Sequence, residues 1–231
     1  MSKAIFITGT GTDVGKTFVT GLILKKLRES GADAAYYKAA ISGNDVGADG
    51  KLIPGDPAAV KAISGISQPL DQMCPYVYKN AYSPHLAARV EGEQVDMDKV
   101  MAGYRSVCNS HEFVTVEGSG GIICPIRWDS QHVLLEDIVK AMELPCIIVA
   151  DAGLGTINST VLTCEYLKQR SIAVSGIILN HFHKGDVMQE DNLAMCRELT
   201  GVDVIACVSD GADSLDIDPA LLKSLYKEVE A

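Results

Sequence analysis

Ala4-Ile5-Phe6-Ile7-Thr8-Gly9-Thr10-Gly11-Thr12-Asp13-Val14-Gly15-Lys16-Thr17 is the stretch on which the fold turns. A short run of β-favouring apolar residues ends in a glycine–threonine loop, and the loop ends in Gly-Lys-Thr. Phe18, Val19, Leu22, Ile23 and Leu27 then recur at helical spacing until Gly31 stops the pattern. Strand, glycine loop, Gly-Lys-Thr and helix in that order form a phosphate cradle. Backbone N–H groups of such a loop converge on an anion, and the helix N-terminus adds partial positive charge. Lys16 can reach the terminal phosphates, and the Thr17 hydroxyl is placed to ligate Mg²⁺. Asp13, Val14, Gly15, Lys16, Thr17 and Phe18 are therefore nucleotide-binding candidates. The loop is a variant: Thr10 stands where the strict pattern has glycine, with Gly9 and Gly11 on either side. An ordinary strand-to-helix turn would leave Lys16 unexplained, because a cation at a helix start opposes the helix dipole.

Outward from this segment, the chain is long enough for one large α/β domain over residues 1–231. At 47% hydrophobic residues it can bury a sizeable core. A formal charge of −10 argues against nonspecific binding to nucleic acid or to an anionic membrane, both of which need basic surface. ATP is not excluded, since a local loop and its magnesium overcome a diffuse field. Cysteines at 74, 108, 124, 146, 164, 196 and 207 contain no Cys-x-x-Cys pair, and most sit in apolar runs. They read as buried free thiols of a reducing compartment. The first residues run straight into a strand without a basic, signal-like segment, and no apolar run approaches ~18 residues. A cytoplasmic protein without membrane or nucleic-acid partners is the expectation.

Past the first helix, Ala34 to Tyr37 reads as a second strand ending at Lys38, and Ala39 to Gly55 as a long loop. Asp56-Pro57 is expected to open a short helix with Asp56 as its N-cap, a role to be weighed against metal binding. Ser83-Pro84-His85 opens another helix in the same way, and one more covers about Asp96 to Cys108. Phe113 to Glu117 reads as a buried strand ending in a carboxylate before a Gly118-Ser119-Gly120-Gly121 turn. That is what a magnesium-side acid beside a phosphate loop requires. Pro145 to Ala150, the most apolar run, is expected to be a central strand buried on both faces. It ends at Asp151, a rival for the same metal role. The helix after Gly155 is expected to place Val161, Leu162 and Tyr166 among its apolar positions. Val174 to Leu179 is a strand ending at Asn180-His181, and no joint metal site is expected of His181 and His183. A helix over about Val187 to Thr200, a last strand Val202 to Val208 and a helix opened by Pro219 complete the chain.

Strands alternating with helices call for a mostly parallel sheet with helices on both faces, the architecture of an α/β P-loop NTPase. Ligands of such sheets sit at the carboxyl ends of the strands. Lys16, Lys38, Glu117, Asp151 and Asn180 all fall at or just beyond such ends. Two lysines facing the phosphates would stabilise charge on a transferring phosphoryl group.

With these residues in place, the chain resembles the dethiobiotin synthetase family. Gly9 to Thr17 looks like that family's own variant phosphate loop. Tyr37-Lys38 with Ser42-Gly43, Ser83-Pro84-His85, Val116 to Gly121 and Gly153 to Asn158 match four more of its segments in order. The resemblance covers about residues 4 to 181. It implies ATP-dependent closure of a ureido ring on 7,8-diaminononanoate with CO₂ (bicarbonate in solution), through a carbamate phosphorylated by ATP. Thr17, Asp56 and Glu117 become the Mg²⁺ ligands. Lys16 and Lys38, with Thr12 beside them, are the catalytic residues that hold phosphate and carbamate charge. Ser42 would contact the diamine, and Gly118, Ser119 and Gly120 would lie near the reacting groups. Asn180, next to His181, would read the adenine edge. The family works as a homodimer, with Gly155, Thr156, Ile157 and Asn158 of one subunit binding the substrate carboxylate for the other. The chain departs from the family pattern at Ala39-Ala40, Ser119 and Ser159, and in a proline-free Val208-Ser209-Asp210-Gly211.

Two readings from other classes use the same fold. A partitioning- or maturation-type ATPase switch normally carries a second lysine inside its phosphate loop, and none lies between Gly9 and Lys16. A cobyrinate-type amidoligase usually needs an attached glutaminase domain, for which these 231 residues leave no length.

Overall fold

The computed structural model describes residues 1–230. Its elements run in the order β1 (Ser2–Gly9), α1 (Lys16–Glu29), β2 (Ala34–Tyr37), α2 (Gly55–Ser64), α3 (Pro84–Glu91), α4 (Met97–Ser110), β3 (Phe113–Gly121), β4 (Pro125–Trp128), β5 (His132–Leu134), α5 (Leu135–Met142), β6 (Cys146–Asp151), α6 (Thr156–Gln169), β7 (Val174–Asn180), α7 (Val187–Thr200), β8 (Val204–Val208), α8 (Pro219–Ser224) and β9 (Lys227–Val229). The main sheet has the order β2-β3-β1-β6-β7-β8. Each pairing along that path is parallel. β9 adds an antiparallel pairing to the start of β1, and β4–β5 is a separate antiparallel hairpin.

The phosphate-loop strand lies inside this sheet, and strand alternation divides its side chains between two cores. Ala4 and Phe6 of β1, with Cys146, Ile148 and Ala150 of β6, face one side. There they meet Val100, Tyr104 and Val107 of α4, Ile138 and Val139 of α5, and Leu167 of α6. Ile5, Ile7, Ile147 and Val149 face the other, against Leu22, Ile23, Leu24 and Leu27 of α1 and Leu222 of α8. Each large aliphatic side chain buried here contributes about 1.5–3 kcal/mol of transfer free energy, so α1 is fixed mainly by its sheet-facing stripe.

Several local expectations are corrected. Asp56 does not cap α2: Pro54 is the N-cap, and Asp56 lies in the first turn with its side chain free for another partner. β3 does not end at Glu117 but continues to Gly121. Ile7 pairs with Glu117 and Gly9 with Gly121, so Thr8 alone opposes Gly118, Ser119 and Gly120, and the strand bulges there. Gly118 permits the close approach, since a Cβ there would stand 2.7 Å from Leu135 Cδ2. Leu162 is 61% exposed, and the buried face of α6 is instead Thr156, Thr160, Cys164 and Leu167. A period-based reading cannot see this, because small and polar residues fill the inward positions. β8 starts at Val204, not Val202. His181 and His183 lie beyond the end of β7, and both approach Asp210. The β4–β5 hairpin, α5 and β9 were not anticipated. All seven cysteines are free, and five of them are buried.

Candidate active site

The carboxyl ends of β1, β2 and β3 gather Lys16, Lys38, Asp56 and Glu117 around one cavity. α1 starts directly after Gly15, whose φ of 85° is the left-handed conformation that glycine supplies. Lys16 and Thr17 thereby occupy the first turn. Lys16 folds its Nζ onto the Gly11 carbonyl at 2.8 Å and is 7% exposed. Burial, and then the charge of Lys38, lower the Lys16 pKa against the opposing pull of Glu117 and Asp56. An incoming polyphosphate would reverse that trend by supplying negative charge.

Lys38, one residue past β2, is the centre of the cluster. Its Nζ donates to Asp56 Oδ2 at 2.5 Å, to Glu117 Oε1 at 2.8 Å and to the Gly118 carbonyl at 3.3 Å. Burial alone would lower the Lys38 pKa, but Glu117 and Asp56 outweigh it and raise the value, keeping the ammonium charged. Thr17 Oγ1 donates to the same Glu117 Oε1 at 2.9 Å, and the Tyr36 hydroxyl donates to Oε2 at 3.2 Å. Burial, then Glu117, push the Tyr36 phenol well above its ordinary value, so it remains a donor. Tyr36 was missed from the sequence. A signal existed, because strand alternation puts residues 36 and 38 on one face.

The three residues expected at a metal thus come together: Thr17 bonds Glu117 directly, and Lys38 joins Glu117 to Asp56. They offer a hydroxyl and two carboxylates, the hard oxygen donors suited to Mg²⁺, which is held by one or two carboxylates with water and phosphate oxygens. The set fits such an ion, with the Lys38 ammonium holding the cationic position between the two acids. Among the described residues no group of three or more His, Cys, Asp or Glu is arranged to hold a metal. A cavity of about 480 Å³ opens over the cluster, lined by Thr12, Asp13, Gly15, Lys16, Thr17, Phe18, Lys38, Asp56, Ala59, Ile63, Glu117 and Gly120. A larger one, about 710 Å³, lies at the opposite edge near Met1, Asp33 and Glu230, away from the strands' carboxyl ends.

Other expected residues lie outside this cavity. Ser42 donates to the Tyr82 carbonyl at 2.5 Å. Ser119 donates to the Ala40 carbonyl at 2.7 Å and so ties the turn after Glu117 to the Lys38 loop. Gly155, Thr156, Ile157 and Asn158 begin α6 and line no part of the cavity. Thr156 is buried, whereas Asn158 is exposed. Asp151 does not join Glu117. Its Oδ1 accepts from the Gly153 N–H at 2.7 Å, and its Oδ2 lies 2.6 Å from His181 Nδ1. Burial raises the Asp151 pKa, but those two hydrogen bonds outweigh it and hold the carboxyl below its usual range. Asn180 is 1% exposed and donates through Nδ2 to the Val14 carbonyl at 3.2 Å, while its Oδ1 has no partner.

Comparison with known proteins adds to this geometry. The family model described as "AAA domain" matches residues 3–215. The ATP-dependent dethiobiotin synthetase BioD of Brachyspira hyodysenteriae is 48% identical, over 94% of this chain and 96% of that protein. The enzyme of the same name from Clostridium perfringens is 49% identical, over 90% of this chain and 91% of its own length. Among solved structures, the MinC:MinD cell division complex of Aquifex aeolicus matches with TM-score 0.57 at 14% identity, covering 90% of this chain and 82% of that one. FtsY of Thermotoga maritima matches with TM-score 0.51 at 16% identity, covering 97% and 68%. At such low identity these two likenesses show the P-loop NTPase fold alone.

Proposed function

The chain belongs to the ATP-dependent dethiobiotin synthetase family, and we propose that it closes the ureido ring of dethiobiotin from 7,8-diaminononanoate, CO₂ and ATP. The observation that carries this reading is the convergence of Thr17, Lys38, Asp56 and Glu117 beside the phosphate loop. One amine of the substrate adds to CO₂ and loses a proton, giving a carbamate. A carbamate oxygen takes the γ-phosphoryl group as the bond to ADP breaks. The second amine attacks the carbamoyl carbon, the ring closes, and phosphate leaves as the amine gives up its proton. Lys16 would hold the phosphates and Lys38 the carbamate and the transferring group, both by charge placed in advance. Mg²⁺, bound by Thr17, Asp56 and Glu117, would supply charge neutralisation at the phosphate oxygens. The bulge at Gly118 to Gly120 would let the reacting groups approach the backbone.

The decisive experiment measures ADP release with each component omitted. Release that requires both the diamine and bicarbonate, and yields dethiobiotin by mass, supports the reading. Hydrolysis indifferent to both would instead favour a switch ATPase.

The tail carboxylate of the diamine needs an anion site away from the phosphates, and the start of α6 presents N–H groups suited to one. Because Gly155 to Asn158 line no part of this chain's own phosphate cavity, a homodimer sharing its sites across a two-fold axis is the arrangement we favour. Asn158 is the position to obstruct, being exposed where Thr156 is buried. Mixing Lys38→Ala chains with Asn158→Trp chains, each inactive alone, should restore up to about a quarter of the activity per total site, since random mixing makes half the dimers mixed and each mixed dimer has one intact site. Subunit exchange without recovered activity would rule out the shared site.

A further inference from the structure

The end of β7 carries a hydrogen-bond relay that the ring-closing groups do not use. It begins at Asp151, whose Oδ2 lies 2.6 Å from His181 Nδ1. His181 holds a left-handed φ of 57°. Its Nε2 lies 3.1 Å from Asn180 Nδ2, and that same Nδ2 is 3.2 Å from the Val14 carbonyl of the phosphate loop. Asn180 packs so closely on Gly15 that a Cβ at position 15 would stand 2.1 Å from Nδ2.

The chemistry of the groups assigns the protons. The Val14 carbonyl only accepts, so the amide face turned to it is the –NH₂. One amide hydrogen goes to Val14 and the other to His181 Nε2, which is therefore the unprotonated nitrogen. His181 Nδ1 carries the imidazole proton and donates it to Asp151. The second Asp151 oxygen is held by the Gly153 N–H at 2.7 Å, so the carboxylate is fixed at both ends. Asp210 stands outside the relay, 3.9 Å from His181 Nε2.

We propose that Asp151 and His181 are positioning residues that orient Asn180 and, through it, the Val14–Gly15 peptide of the phosphate loop. The proposal rests on reading residues 9–17 as a phosphate cradle. In a trans peptide the carbonyl and the following N–H point in opposite directions. Holding the Val14 carbonyl on Asn180 therefore turns the Gly15 N–H away from Asn180, and Gly15 itself lines the cavity. Asp151, considered from sequence as a metal ligand, thereby acquires a different role at the same site. It sets the loop without touching the nucleotide.

Two variants test this from different directions. Asp151→Asn leaves one acceptor oxygen for two donors, the Gly153 N–H and His181 Nδ1–H. If its –NH₂ faces His181, the imidazole must move its proton to Nε2 and confront the Asn180 –NH₂. His181→Gly removes the imidazole while suiting the left-handed backbone. Binding of ATP and of inorganic tripolyphosphate, each with magnesium, is measured by calorimetry on the full chain. Both ligands should weaken by the same factor, roughly three- to tenfold in either variant, the worth of one hydrogen bond. The double variant should be little worse than either single one, as members of one relay are not additive. In turnover, KM for ATP should rise by a larger factor than kcat falls. Weaker ATP with unchanged tripolyphosphate would mean that His181 reads the base, overturning the proposal, as would unchanged binding of both ligands. Failure of the unsubstituted chain to bind tripolyphosphate at all would remove the cradle reading itself, and the relay with it.

Discussion

Lys38→Ala and Lys16→Ala are each expected to abolish ring closure, but only Lys16→Ala is expected to lose most of the affinity for ATP. Lys16 starts α1 and reaches back over the loop to Gly11, so a bound polyphosphate would take its charge in the ground state. Lys38 is held by Asp56 and Glu117 and would act chiefly as charge develops on the phosphorylated carbamate. Removing one such preorganised donor costs about 2.7–4 kcal/mol, or roughly 10²–10³ in rate. Lys38→Ala carries a second consequence, because it leaves a buried Glu117 facing Asp56 without the cation between them. Its thermal midpoint should therefore fall in metal-free buffer and recover in part with Mg²⁺. Lys38→Gln, which keeps length and a hydrogen-bond donor, should show the catalytic loss with a smaller loss of stability. Equal loss of ATP affinity in the Lys16 and Lys38 variants, measured by calorimetry, would end this division of roles.

Glu117→Gln should raise the Mg²⁺ concentration needed for half-maximal turnover and lower kcat by roughly 10² or more. Glu117 is 1% exposed, and its two oxygens serve three donors, from Thr17, Lys38 and Tyr36. A glutamine has one oxygen, and its –NH₂ would face at least one of those donors, so the cluster loses both charge and hydrogen-bond complementarity. Asp151→Asn should shift the Mg²⁺ midpoint only mildly, because Asp151 is bound to His181 and the Gly153 N–H. A magnesium titration of the two variants separates the acids. A larger shift for Asp151→Asn would reverse the assignment.

The phosphate loop was legible because its parts are local. Gly15 at a left-handed turn, Lys16 in the first helical turn and a β-favouring run before them follow from residues within one short segment. Lys38 and Glu117 were legible for a related reason: each lies at the carboxyl end of a strand pattern, and parallel sheets gather those ends on one edge. The hairpin of β4 and β5 and the terminal β9 were not legible. Their three or four residues carry too little periodicity, and only pairing partners define them.

Sequence by itself determined the α/β order, the phosphate cradle and the family, since each depends on short patterns or on their order along the chain. Only the tertiary structure decided what each polar side chain does. Asp56 has the sequence context of an N-cap, yet Lys38, eighteen positions away, draws it into the site. Asp151 has the sequence context of a metal ligand, yet His181, thirty positions on, occupies it. Tyr36 shares a strand face with Lys38, yet only Glu117, 81 positions later, gives its hydroxyl a role. The physical reason is common to all three. A carboxylate or phenol drawn into a buried site must find a partner, and at the carboxyl edge of a parallel sheet the nearest candidates come from strand ends and helix starts that lie far apart along the chain.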